Sequence, residues 1–538
     1  MVDRADIAEA SGSPSAAPVR PVATHRWLVA LAVMLGTTLE VLDNSIINVA
    51  LPHMQGTFSA SVDEIAWVVT SYLVANGIMI PMTAWIAMRF GRKRYFLTSV
   101  FAFVTASAMC GAAQSLNQMV LFRLIQGVAG AAMIPSSQAI LMETFPPQEQ
   151  QMAMALWGVG LMVAPILGPT LGGWITDNWN WRWNFYINIP IGFIAFGMVS
   201  AFVHDPPFMR NRRAQGGKVD YLGILLLVVS LGLLQIVLDR GQRADWFNAP
   251  WVIYATIASA AAFIALILWE FRFSEPILDL RILKLRIFDA AMGVTITFSA
   301  LLFGTLLLSP IFLQELMGYT AWRAGVVQAP RGIGAMTSMM VTGNLARFGL
   351  DTTKFIGLGF TLIAIGCWFT AGFNVQSSMW AIVWPTTIMG FGFGMIFPPS
   401  SAAAISSVSP ERMGYASSLY NMMRNTGAAI GIAWMTNALI SDQQLHQSYL
   451  VEHFSAFEAW ELTNRGPLIA GSPSFRYVPQ LITGQKQGFG MIYGAVQAQA
   501  AMLSFNDIYR ILALVALIMV PSFLLLRGVR VGGGGAGH

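Results

Sequence analysis

Apolar runs of about twenty residues, separated by short polar or charged stretches, recur along nearly the whole chain, and that length is what a membrane-spanning helix requires. Fourteen can be marked, at residues 27–49, 65–87, 96–113, 117–141, 152–175, 184–203, 221–238, 250–269, 289–313, 324–345, 355–373, 379–402, 414–438 and 508–526. They predict an all-α integral membrane protein. Residues 1–25, rich in Ala, Pro, Ser and charge, carry no cleavable signal sequence, so the first run reads as a signal anchor.

Composition supports that reading, because 55% of residues are hydrophobic, only 11% are charged and the mean hydropathy is +0.60, against about 25% charged in ordinary soluble domains. A net charge of +5 would suit nucleic acid if it were clustered on one surface. Here the basic residues sit in short loops beside the apolar runs, so they report topology and no nucleic-acid partner is implied. With both termini placed in the cytoplasm, 20 of the 31 Lys and Arg fall on the cytoplasmic side and 8 outside, while Arg123, Arg331 and Arg424 lie within spans. The runs Arg89 to Arg94, Arg210 to Lys218 and Arg272 to Arg286 fix this orientation. Cys110 and Cys367 lie in apolar stretches and imply neither a disulfide framework nor a metal site.

Long-range similarity organises the spans into halves. The second span leads into Arg89-Phe90-Gly91 and the tenth into Arg347-Phe348-Gly349; the fourth carries Met133-Ile134-Pro135-Ser136-Ser137 and the twelfth Met395-Ile396-Phe397-Pro398-Pro399-Ser400-Ser401. Both pairs are eight spans and about 260 residues apart. The expected organisation is a tail (1–26), a six-helix bundle (27–203), two inserted helices with basic loops (204–287), a second six-helix bundle (288–527) and a disordered glycine-rich tail (528–538). An external hairpin (441–507) interrupts the second bundle. Duplicated halves of this kind are a transporter device, with the substrate site between them near the midplane.

The first span holds the most informative chemistry. LEVLDNSIINVALP, Leu39 to Pro52, places Glu40 and Asp43 on one helix face inside the membrane. A charge at the bilayer centre costs roughly 2.5–3.5 kcal/mol, so an intramembrane acid is by default a functional candidate. The structural alternative is that both merely bond to neighbouring helices. Arg123, inside the fourth span, needs an acid or a polar cavity for the same reason, and Gln126 follows one turn later.

These segments resemble the fourteen-helix drug:proton antiporters of the major facilitator superfamily. LEVLDNSIINVALP is similar to their first-helix signature, LFRLIQGVAGAAMIP (Leu121 to Pro135) to the fourth-helix motif, and GVGLMVAPILGPTLGGWI (Gly158 to Ile175) to the fifth-helix antiporter motif. With DNWNWRWNFYINIPIG (Asp177 to Gly192), the set is similar to the EmrB branch of the EmrB/QacA group. The resemblance implies a major facilitator fold and proton-coupled export of lipophilic toxicants by alternating access. Asp43, Glu40, Arg123 and Gln126 would take part in coupling. Gly158, Gly160, Pro165, Gly168, Pro169, Gly172 and Gly173 would form the inter-bundle seam and limit leakage. The loop MTAWIAMRFGRKRYF (Met82 to Phe96) resembles the gating loop through Arg89, Gly91, Arg92 and Lys93, but Ala84 replaces its first glycine and Met88 its acid.

In the second half, Arg331 and Arg424 are further buried cations, open to an anionic group, to an acid such as Glu315, or to a structural role. Thirty Met and 34 Phe suit an adaptable pocket, although lipid-facing packing accounts for most. The resemblance also implies an EmrA-type periplasmic adaptor and a TolC-type outer-membrane channel as partners, and the bacterial inner membrane as location. No cofactor is implied, since the chain lacks a phosphate-binding GxxxxGK[ST] loop. A metabolite symporter would share the fold. A membrane-embedded enzyme would need a catalytic cluster, but His25, His53, His204, His446, His453 and His538 are dispersed.

Overall fold

The computed structural model describes residues 26–206, 219–273, 276–348, 350–452 and 485–526. The N-terminal tail, the Arg210 to Lys218 run, Gly349, residues 453–484 of the external segment and the glycine-rich tail lie outside the described residues.

Helices occupy all fourteen expected segments: α1 Arg26–Phe58, α2 Trp67–Phe90, α3 Arg92–Ala112, α4 Leu116–Thr144, α5 Gln150–Asn178, α6 Trp183–Phe202, α7 Tyr221–Arg240, α8 Pro250–Glu270, α9 Arg286–Ile311, α10 Ala321–Arg347, α11 Lys354–Thr370, α12 Met379–Ser406, α13 Met413–Glu452 and α14 Gln485–Met519. Among the described residues, eleven of these segments are long and apolar enough to span a membrane and α11 is a shorter apolar helix. The remaining two, α10 and α13, carry the buried Arg331 and the partly buried Arg424 together with many small polar residues, which lowers their hydropathy.

Packing repeats at the same eight-helix offset as the sequence. In the first half α1 packs on α5, α4 on α2 and α3, and α6 on α3; in the second α9 packs on α13, α12 on α10 and α11, and α14 on α11. The halves meet where α5 packs on α10 and α13 packs on α2, two contacts that the duplication exchanges. The inserted pair lies outside this seam, α7 against α2 and α13, and α8 against α7. At 40 residues, α13 is about 60 Å long, well beyond the ~30 Å hydrocarbon layer. Its C-terminal end is clasped to α14 through His446 Nε2 and Asp507 Oδ2, 2.8 Å apart.

One face of the bundle carries the start of α1, the α2–α3 and α4–α5 turns, and the α10–α11 and α12–α13 turns. Charges tie it together: Arg26 pairs with Glu149 at 3.0 Å, Arg347 approaches the same carboxylate at 3.8 Å, and Arg412 lies 3.6 Å from Asp279.

Candidate functional site

Asp43 sits midway along α1 and is only 2% exposed, and every neighbour within hydrogen-bond reach is a donor. Arg123 Nη1 donates to Asp43 Oδ2 at 2.6 Å, while Gln126 Nε2 and Asn188 Nδ2 donate to Oδ1 at 3.0 and 2.6 Å. Arg123 is completely buried. Its other contacts hold it in place: Nε donates to Val68 O at 3.1 Å, Nη1 to Gln126 Oε1 at 2.9 Å, and the guanidinium stacks over Tyr72 at 4.3 Å. Asn188 is fixed in turn by Ser107, which donates to Phe185 O. Donors from α4 and α6 thus converge on one carboxylate of α1, with α3 bracing Asn188 behind it, and an ion pair this deep is sustained only with such full satisfaction. Cys110 packs beside it, its Sγ 3.7 Å from Gln126 Oε1, while Cys367 lies against Met389; both are free thiols.

Glu40, one turn before Asp43, is 3% exposed and held differently. Asn76 Nδ2 donates to Oε1 at 3.0 Å, the Tyr72 hydroxyl lies 3.5 Å away, and Oε2 has no hydrogen-bond partner. Across the seam, the Arg424 guanidinium of α13 attracts it electrostatically. Arg331 of α10 is 4% exposed; Nη2 donates to Thr305 Oγ1 at 2.6 Å, the guanidinium lies over Phe393 at 5.2 Å, and Nη1 is unpartnered. Glu315 is exposed in the π-helical turn after α9, so it does not supply a counter-ion for this buried side chain. The two halves invert one device, with cation on α4 and ring on α2 in the first, and cation on α10 and ring on α12 in the second.

The seam is closed on the charged face by named contacts. Gln138 Oε1 accepts from Asn421 Nδ2 at 2.6 Å and Ser417 Oγ at 3.1 Å, Ser418 Oγ accepts from Ala84 N at 3.1 Å, and Gln151 bonds Thr352 at 2.7 Å. Trp157 stacks on Phe397 at 5.8 Å. Gln138→Leu is expected to weaken this closure by about 1–3 kcal/mol. A cysteine placed at Ser418 would then react with maleimide several-fold faster; an unchanged rate would show that closure does not rest on these bonds.

In α5, Gly158 alone of the motif glycines faces the other half, where a Cβ would meet Met339 and Phe397 at 2.9 and 3.1 Å. Gly160, Gly168, Gly172 and Gly173 face α1 instead, at Met34, Ser45, Ile46 and Val49. Pro165 is half-buried, and the side chain of Pro169 lies outside the described residues. The motif therefore seats the acid-bearing helix as well as touching the seam. A second pair, Gly427 and Gly431 of α13, seats α9 in the same way, with Cβ positions 2.6 and 2.5 Å from backbone atoms of Ile296 and Ala300. Their small-xxx-small spacing was the available sequence signal. Asn188, Tyr72 and Asn76 gave none, because a single polar residue in an apolar run does not say which way it faces.

In the α2–α3 loop, Gly91 has φ +94°, a conformation that L side chains resist. Arg92 is buried and ion-paired with Glu143 of α4, with its guanidinium also beside Gly414 at the start of α13. Lys93 Nζ donates to Ser200 O at 2.6 Å, and Arg89 lies over Trp85 at 5.7 Å. Where the loop lacks the acid that Met88 replaces, Glu143 partners its arginine.

Duplicated helical halves around buried charge define a polytopic membrane transporter. Residues 33–432 match the profile of the Major Facilitator Superfamily, and the chain belongs to that superfamily, within its EmrB group. It is 34% identical over 514 residues to the multidrug export protein EmrB of Escherichia coli K12, covering 95% of this chain and 97% of that protein. Identity to the fatty acid resistance protein FarB of Neisseria gonorrhoeae is 31% over 512 residues, at 95% and 97% coverage. The fold is shared with the human organic anion transporter MFSD10, with TM-score 0.58, 14% identity and coverage of 91% and 99%. The proton:xylose symporter XylE is also similar, with TM-score 0.53, 14% identity and coverage of 92% and 96%.

Proposed function

We propose that this protein is a proton-coupled multidrug efflux transporter that exports lipophilic toxicants by alternating access across the bacterial inner membrane, both termini being cytoplasmic. The observation that carries the reading is the buried Asp43–Arg123 pair inside the first half, adjoining a seam between two duplicated halves. The printed names of EmrB and FarB, for multidrug export and fatty acid resistance, agree with export of apolar compounds. Arg331, with its unpartnered Nη1, and Arg424 are second-half candidates for contact with substrate. Arg89, Gly91, Arg92 and Lys93 serve gating at the cytoplasmic face, where the seam is closed in this conformation.

Each charge moved through 100 mV supplies ~2.3 kcal/mol, roughly a 50-fold substrate gradient at 1.36 kcal/mol per decade. The projecting ends of α13 and α14 are the surface on which an EmrA-type periplasmic adaptor would dock, leading to a TolC-type outer-membrane channel. The decisive test is efflux of ethidium from cells at matched expression. Asp43→Asn should lose proton-driven efflux as completely as wild type treated with a protonophore; equal efflux by variant and wild type would overturn a coupling role for Asp43.

A further inference from the structure

Arg331 lies inside the α10 span and is 4% exposed. A guanidinium keeps its proton at any physiological pH, so this charge cannot be discharged and calls for a counter-charge. The protein offers it only dipoles and a ring. Nη2 donates to Thr305 Oγ1 at 2.6 Å, the guanidinium lies over Phe393 at 5.2 Å, and the fully buried Nη1 has no hydrogen-bond partner among the described residues. The titratable groups that act on it are the Tyr509 hydroxyl of α14 and the Cys367 thiol of α11, both uncharged at neutral pH.

No acid is placed to reach it. Helices α10, α11 and α12 contain neither Asp nor Glu. On α9 the one acid, Asp289, sits in the first turn, roughly 24 Å along the helix from Thr305, and on α14 Asp507 is already bonded to His446 and Arg510. The first half shows what is missing. There the buried Arg123 meets Asp43 of α1 at 2.6 Å. The counterpart of α1 in the second half is α9, and the side chain it presents to Arg331 is the neutral Thr305.

We propose that Arg331 is an anion subsite, and that the carboxylate of an apolar substrate is the counter-ion the second half does not carry. This rests on the export reading above and names a substrate class for it, lipophilic carboxylates. The open Nη1 is the donor for the carboxylate oxygen, while Thr305 and Phe393 hold the rest of the guanidinium in place; a hydrogen bond between two charged groups is about twice as strong as a neutral one. Phe298 packs edge-on against Phe393 at 5.9 Å, so the apolar chain behind the carboxylate meets aromatic surface. Pro330, inside α10, removes one backbone hydrogen bond of that helix next to Arg331, which leaves α10 pliable where the closed site has to open. An ester of the same chain cannot neutralise Arg331, so charge is the property that discriminates.

The test is binding of dansyl-undecanoate and of its methyl ester to purified full-length protein in phosphatidylcholine nanodiscs, read by dansyl fluorescence against empty nanodiscs. Wild type should bind the carboxylate at least about tenfold more tightly than the ester, a difference of 1.4 kcal/mol. R331Q should bind the two alike, and R331K, which keeps the charge, should recover a preference. Without ligand R331Q should melt no lower than wild type, because an uncompensated buried charge has been removed, so its lost preference does not come from misfolding. A preference that survives in R331Q would overturn the proposal. A small inorganic anion is the other source of the same charge: a wild-type melting temperature raised by chloride over gluconate, unchanged in R331Q, and not raised by the carboxylate probe would assign Arg331 to a halide and overturn the substrate class. Wild type that exports ethidium yet binds both probes alike would overturn the subsite and leave the export reading standing.

Discussion

Arg123→Met is expected to abolish proton-driven transport and to destabilise the protein by about 3–5 kcal/mol, the scale for removing one partner of a buried pair. The cost arises because Asp43 would remain inside the bundle with Gln126 and Asn188 as its only donors. The Val68 carbonyl would also lose its Arg123 bond and Tyr72 its stacked cation. Adding Asp43→Asn should recover most of that stability, since no uncompensated charge is left, while transport stays absent. Thermal unfolding in detergent and ethidium efflux separate the two effects. A single variant as stable as wild type would mean that water, rather than Arg123, compensates Asp43.

The second large effect is expected at Gly168. A Cβ there would lie 2.4 Å from Ser45 Cβ and 3.2 Å from the Ser45 carbonyl carbon, so Gly168→Leu must push α1 away from α5. Overpacking costs about 1–3 kcal/mol, but the larger consequence is geometric, because the displaced segment of α1 carries Asp43 two residues away. Transport should fall by at least about tenfold, the equivalent of 1.4 kcal/mol in the barrier, in protein that still inserts. Gly431→Leu should behave alike, since its Cβ would meet the Ala300 backbone at 2.5 Å. Gly197→Leu is the control, with nothing within 4 Å of its Cβ. Equal transport by all three would sever the link between glycine seating and function.

Much of the architecture was legible in the chain because a bilayer leaves few options. Backbone groups in hydrocarbon must be satisfied within the segment, so apolar length alone marked the spans, with α1 running past its expected end at residue 49 to Phe58. The halves were legible because the duplication left matching motifs in the second and tenth spans and in the fourth and twelfth. Buried charge was equally exposed by its cost, which singled out Glu40, Asp43, Arg123, Arg331 and Arg424 before any contact was known.

Sequence alone therefore determined the helical membrane architecture, its two-half plan and the short set of residues whose burial demands a reason. Tertiary structure decided what those residues meet. Asn188, some 145 positions from Asp43, closes its cage, and Glu143 partners Arg92 where the loop's own acid is missing. Most of the motif glycines of α5 turn toward α1, with Gly158 alone of them aimed at the other half. The physical reason is that hydropathy is a property of one segment against lipid, whereas hydrogen bonds, ion pairs and close helix approach depend on the rotation and depth of helices far apart in the chain.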